Sequence, residues 1–323
     1  MTLFQSEYFQ IFINRFLVCT FLIFQGTAVY SYETDPLTHR FVEIDDSTEL
    51  LNKEVNLALS EVVKSWKGPK NNNKLVKQVY LKLGGHHWVD KLEKFVNKSE
   101  LIEKLPTKRY QSFYADFPFW ASRVTGLMGI GPIFKLNEQL VGSDKLGHFF
   151  SQGKKFYFRF NKLGSVKQAA QKSAFTERAI FGQKTTGTYS NADLVANFEG
   201  FLFYRSFFED EVIPGKQALF KWHDDHWQLQ RYFDWKDHVN AYWDEGINLN
   251  YYDKWLLPHV KNVFLAQCPY FSKVPDSFEI DQAIELRLKA KYKDIELRPN
   301  LELKLSTLCE STSVSKPEHL LKD

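Results

Sequence analysis

Ser143-Asp144-Lys145-Leu146-Gly147-His148-Phe149-Phe150-Ser151-Gln152-Gly153 decides the class of fold. Ser143 is a residue type that caps helices, and Asp144 follows in the first turn, where negative charge suits the helix dipole. At about 3.6 residues per turn, Asp144, His148 and Gln152 share one stripe among Leu146, Phe149 and Phe150. A second block repeats the design: Tyr189-Ser190-Asn191-Ala192-Asp193-Leu194-Val195-Ala196-Asn197-Phe198-Glu199-Gly200. Ser190 caps it with Asp193 three positions on, and Asp193 and Asn197 share a stripe among Leu194, Val195 and Phe201. Both blocks predict helices that are apolar apart from one polar stripe.

Working outward, Leu51, Val55, Leu59 and Val62 space like a helix capped at Asp46 or Ser47, ended by a loop at 68–74. Further helices are expected at about 88–96, 99–105, 166–181 and 278–292, and Trp235, Val239, Trp243, Ile247 and Tyr251 space like a helix face. One stretch departs from this pattern. Phe220 and Trp222 alternate before His223-Asp224-Asp225-His226, and Trp227 and Leu229 alternate after it, which reads as a β-hairpin. The expected fold is therefore mainly α, a compact helical domain with one small β-hairpin. It would occupy residues 32–295, with an N-terminal helical subdomain at 41–112 and a loosely ordered polar tail at 296–323.

Composition bounds the function. Hydrophobic residues make up 44% and charged residues 25%, an ordinary globular balance, and a net charge of +3 gives no basic excess for nucleic acid. The first 31 residues read as a signal peptide: Arg15, then the apolar run Phe16 to Phe24, then smaller and more polar residues to Ser31. That run is well short of the ~20 residues that span a bilayer, so the mature chain, from Tyr32, is expected to be exported without a transmembrane segment. Export leaves Cys268 and Cys309, either one disulfide or two thiols. Asn97-Lys98-Ser99 is a glycosylation acceptor pattern if the source is eukaryotic.

The chemistry concentrates in the two quoted blocks. If their stripes face each other, His148 lies between carboxylates, the unit of general acid–base catalysis. The candidate catalytic residues are Asp144, His148, Asp193 and Asn197, with Glu199, about 200° round the helix from Asn197, as an acid whose pKa burial would raise. Asp144, His148 and Asp193 could equally ligate a single divalent metal, or form a structural network that caps both helices. Glu177 beside Arg178 reads as a solvated pair, and His86-His87 as part of a glycine turn. His223-Asp224-Asp225-His226 looks like a metal cluster as text, but its aromatic arms make it a turn. No cofactor-binding fingerprint, phosphate loop or nucleophile elbow is present. Trp222, Trp227, Trp235, Trp243 and Trp255 crowd one region, as core packing or as a surface for sugar or membrane.

The blocks at 141–153 and 189–200, with Phe233-Asp234-Trp235 and Tyr242-Trp243-Asp244-Glu245, resemble signature blocks of exported bacterial proteins of unassigned function. The resemblance covers about half the chain, roughly 117–269, and implies a periplasmic or envelope-associated bacterial protein without supplying an activity. The Asp144-Lys145-x-x-His148 start is also similar to VanZ-like membrane proteins, whose spans this chain lacks. Two functions follow. One is a hydrolase of an envelope glycan or lipid, with Asp144 orienting His148 as base and Asp193 and Asn197 positioning water or substrate. The other is a non-catalytic protein that binds envelope glycan, lipid or protein through its aromatic half, its Asp/His cluster being structural.

Overall fold

The helix that starts at Asp144 is built in three pieces, an α turn over Asp144–Gly147, a π turn over His148–Gln152 and an α-helix over Gly153–Leu163. The computed structural model describes residues 33–85, 89–105, 108–115, 117, 130–176, 178, 183 and 187–313. The signal segment, His86 and His87, Glu177, and most of the apolar stretch at 113–133 lie outside them. The π turn shifts the helical phase beyond His148, so the regular stripe expected to continue through Gln152 stops at His148.

The second block forms the helix Asn191–Arg205, buried along nearly its whole length. Ser190 caps it as the spacing predicts, its hydroxyl accepting from the Asp193 backbone N–H at 3.2 Å. Two glycines set its distance from the first block. A Cβ on Gly200 would lie 1.9 Å from the Phe149 carbonyl oxygen, and one on Gly153 would lie 2.5 Å from the Gly200 Cα. Backbone stands against backbone here, which brings the polar stripes of the two helices within reach of each other.

Around this pair lie helices Thr48–Lys64, Asn72–Leu83, Lys91–Lys98 and Val166–Thr176. The core joins Leu51, Val55 and Leu59 to Phe149, Phe203 and Trp235. Trp227, Trp235 and Trp243 are wholly buried, so the tryptophan crowding is largely core, while Trp255 and Tyr232 reach the surface. A second apolar cluster holds Leu256, Val260, Phe264, Phe278 and Leu303, and the Cys268–Cys309 disulfide joins its outer elements.

The mainly helical expectation holds, but one hairpin undercounts the β structure. Four two-stranded sheets occur among the described residues. β1 (Glu33–Thr34) pairs in parallel with β2 (Ile130–Gly131), β3 (Ile133–Leu136) pairs antiparallel with β4 (Gln139–Gly142), and β5 (Thr188–Tyr189) pairs antiparallel with a later strand, Tyr251–Tyr252. The predicted hairpin is Phe220–His223 against His226–Leu229, turning at Asp224 and Asp225, both with positive φ. The β3–β4 turn at Asn137 and Glu138 has the same geometry without the usual glycine. Tertiary bonds hold it instead: the Asn137 N–H donates to Thr48 Oγ1 and the Glu138 N–H to Asp46 Oδ2, both at 2.7 Å.

Three other expectations change. The 235–251 stretch forms two short 3₁₀ turns, Trp235–Asp237 and Ala241–Trp243, because Asp234 and Asn240 each turn a side chain back onto the following backbone N–H groups. Residues 99–105 are not helical. The tail expected to be loose from 296 is ordered to 313, where Leu303, Leu305 and Leu308 bury themselves and Cys309 is bridged. Among the described residues, no helix is long and apolar enough to cross a membrane.

Candidate functional site

Lys145 stands at the centre of the site, off both of the polar stripes. Its Nζ lies 2.7 Å from Asp144 Oδ2, 2.6 Å from Asp193 Oδ1 and 2.8 Å from Glu245 Oε1, with its side chain only 2% exposed. Three carboxylates thus surround one ammonium, which donates a hydrogen bond to Asp144 Oδ2, the arrangement that lets an ammonium remain charged inside a protein. Burial alone would lower its pKa, but the three carboxylates hold it well above the usual lysine value.

The structure brings together Asp144, His148, Asp193 and Asn197, as the stripes predict. His148 Nε2 is 3.1 Å from Asp193 Oδ2, and Nδ1 is 3.1 Å from Asn197 Oδ1. The orienting carboxylate is therefore Asp193, not Asp144, which turns to Lys145. Asn197 is held in turn by its amide, which donates to Ser173 Oγ at 3.2 Å.

Glu245 completes the set through a distant part of the chain. Ser190 Oγ donates to its Oε1 at 2.6 Å and Thr34 Oγ1 to its Oε2 at 3.1 Å. Its neighbour Asp244 makes a buried two-pronged bond with Arg40, at 2.9 and 2.8 Å. A Cβ on Gly246 would come within 2.6 Å of that guanidinium, so glycine there lets the clamp close. Arg40 thereby positions Glu245 without touching it.

The two aspartates titrate apart. Burial pushes the Asp144 carboxyl up to about 6 against the pull of Lys145, with Asp193 and Glu245 adding to the rise. For Asp193 burial also acts upward, but His148 and Lys145 outweigh it and hold the group below the usual carboxylate range. Asp193 is the fixed anion, and Asp144 exchanges a proton near neutral pH. Asp144 Oδ1 is buried without a hydrogen-bond partner. Asp144, His148 and Asp193 each offer an atom within 4.8 Å of the others, close enough to share one metal ion, and they are the residues expected to do so.

Glu199 does not belong to this site. It is fully buried in a separate network, with Oε2 3.2 Å from His238 Nδ1 and Oε1 accepting from Tyr292 O–H at 2.6 Å and lying 2.5 Å from Lys291 Nζ. Burial alone would raise its pKa as expected, but Lys291 and His238 prevail and keep it below the usual value. An acid held ionised is unsuited to donate a proton, which corrects its assignment as general acid.

Glu93 is a second residue without a sequence signal. It lies beneath Gly147, where a Cβ would be 2.8 Å from its Oε2, and its Oε1 has no hydrogen-bond partner. Burial first, then Asp144 and Asp90, push it up to about 9. Nearby Asp90 is pushed up to about 7 by burial, although Ser151 Oγ sits 2.8 Å from both its oxygens. Both groups ionise at lower pH in the unfolded chain, from 4.5 and 3.8, so their contribution to stability is full below pH 4. It is lost as pH climbs through about 7 for Asp90 and about 9 for Glu93. Glu93→Gln, which cannot ionise, is expected to gain on the parent in melting temperature as pH rises toward 9. Melting curves that stay parallel over that range would refute the assignment.

No protein-family model, curated protein or solved structure matches this chain.

Proposed function

We propose that the protein is an exported hydrolase of a bacterial envelope glycan or lipid, with His148 as general base and Asp144 as the proton-exchanging acid. The observation that supports this is the pair of aspartates whose pKa values are driven in opposite directions on either side of one buried ammonium, with His148 bonded to the lowered member. Such separation assigns an acid and a base. With Nε2–H given to Asp193, Nδ1 becomes the basic nitrogen. For Nδ1 to accept a proton the Asn197 amide turns over, so that its oxygen accepts from Ser173 Oγ and its nitrogen faces Nδ1, where the attacking water takes its place. Water oxygen forms the new bond to the substrate carbon as His148 takes one water proton, the bond from that carbon to the leaving oxygen breaks, and protonated Asp144 gives its proton to that oxygen. Transfer of a proton from His148 to Asp144, within the same cluster, restores the starting state.

The test uses the chain from Tyr32 incubated with purified peptidoglycan and with envelope lipid, products being read by mass spectrometry. Product release that falls about 10²-fold or more in both His148→Gln and Asp193→Asn, with parent-like melting, is the expected result. Full activity in both variants would overturn it.

Two observations keep other readings in view. The partnerless Asp144 Oδ1 beside His148 and Asp193 favours a single divalent metal, whose role would be to polarise a water. Elemental analysis of protein purified without chelator decides that branch. The complete pairing of Lys145 favours a structural network in a non-catalytic envelope protein. In that case the same variants lose stability and no product is seen.

A further inference from the structure

A cavity of about 300 Å³ lies between helix Gln282–Lys291, the 242–249 segment and the 295–305 segment. Its wall is dominated by aliphatic and aromatic side chains, among them Ile247, Phe264, Ile280 and Leu303. Leu301, 67% exposed, stands at its edge, so apolar surface continues from the interior to solvent. At about 30 Å³ per small group, water's share of its own liquid, the space takes a chain of about ten methylenes. A wall that mixes apolar side chains with polar groups is the usual composition of a small-ligand site.

The polar groups narrow the ligand. Four charged side chains line the cavity, two of each sign. Glu285 is paired with Lys289 at 2.7 Å, and Glu279 Oε1 accepts from the Ser306 backbone N–H at 3.0 Å. Lys304 has no side-chain partner among the described residues, which leaves an uncommitted cation at the wall. Tyr242, stacked on Tyr292, has a hydroxyl with no protein partner among the described residues, whereas the Tyr292 hydroxyl is fully used by Glu199 and Asn240. Burial, with Glu285 nearby, pushes the Tyr242 phenol up to about 12, so it is a neutral donor at physiological pH. Among the described residues Glu279 has no cationic partner but keeps one oxygen bonded to backbone, whereas Lys304 and the Tyr242 hydroxyl have no side-chain partner. A cation with an O–H donor is complementary to a carboxylate on a hydrocarbon tail.

We infer that this cavity binds a free fatty carboxylate of about ten carbons, its tail among Ile247, Phe264, Ile280 and Leu303 and its head at Lys304 and Tyr242. The inference does not rest on the hydrolase reading, since none of Asp144, Lys145, His148, Asp193, Asn197 and Glu245 lines the cavity.

Calorimetric titration of the chain from Tyr32 with decanoate, decanol and decyltrimethylammonium tests it, all below their micellar range. Decanoate is expected to bind saturably at one site and at least tenfold more tightly than decyltrimethylammonium. Lys304→Ala is expected to weaken decanoate about tenfold, equivalent to ~1.4 kcal/mol, and to leave decanol within twofold. Ile280→Trp, which fills the space from a half-buried position, should abolish binding of both while circular dichroism stays parental. Absence of saturable decanoate binding, equal binding of the cationic analogue, or decanoate binding unmoved by either substitution would each overturn the inference.

Discussion

Lys145→Met is expected to lower stability by about 3–5 kcal/mol at neutral pH, the cost typical of breaking a buried ion pair from one side. Methionine fills most of the lysine's apolar stem, so little of that loss comes from packing. What disappears is the ammonium that faces Asp144, Asp193 and Glu245 at 2.6 to 2.8 Å. The carboxylates then confront one another where water can scarcely screen them, and protonation is their relief. In the parent, Asp193 has a depressed folded pKa, so its contribution is present above the unfolded value near 3.8 and is lost as pH falls. Without Lys145 the folded pKa of Asp193 rises instead, and the sign reverses: stability is greatest below about pH 4 and falls as pH rises. Urea denaturation at several pH values should therefore show the deficit of the variant shrinking on acidification. Adding Asp144→Asn should recover part of it, because neighbouring charges do not act independently. A loss below about 1 kcal/mol, or one independent of pH, would mean that Lys145 is not what holds these carboxylates together.

Why Lys145 escaped the sequence reading is itself physical. A stripe argument finds residues that share a helix face, and Asp144, His148, Asp193 and Asn197 do so. Lys145, adjacent to Asp144, was not on the expected stripe, yet its long stem carries the ammonium back to the carboxylates. Glu245 sits in a quoted aromatic block, but its partners Ser190, Thr34 and Lys145, and the Arg40–Asp244 clamp beside it, all arrive from distant parts of the chain. Glu93 has no local signal because its neighbour is Gly147, on another element. Glu199 was misread for the converse reason: burial was foreseeable from its apolar neighbours, whereas Lys291 and His238 arrive from elsewhere in the chain. The helices with regular apolar spacing were legible, as was the hairpin with its alternating aromatic arms. The 235–251 stretch imitated helical spacing while its Asp and Asn side chains favoured capped 3₁₀ turns.

Reduction of Cys268–Cys309, or the paired change Cys268→Ser and Cys309→Ser, is expected to cost about 2–4 kcal/mol. The bridge closes a loop with a sequence separation of 41, for which loss of unfolded-chain freedom sets an upper figure of about 4 kcal/mol. Its two ends lie in short helices, Cys268–Phe271 and Leu305–Ser313, which share the smaller apolar cluster with Phe264, Phe278 and Leu308. That cluster is separate from the core that carries Phe149 and Trp235, so the damage should be local before it is global. Hydrogen exchange should accelerate first over 257–313, with decanoate binding falling alongside, while protection of Asn191–Arg205 persists. Uniform loss of protection across the chain would refute a separable outer unit, and an unchanged melting temperature would refute any stabilising role for the bridge. The same bond bears on the compartment. A structural disulfide is retained in an oxidising environment and reduced in most cytosols, so an exported chain should carry the bridge on recovery and one retained in a reducing cytosol should yield free thiols. If the chain recovered from its native location has both thiols free, the proposal of export fails together with the stability that the bridge is expected to supply.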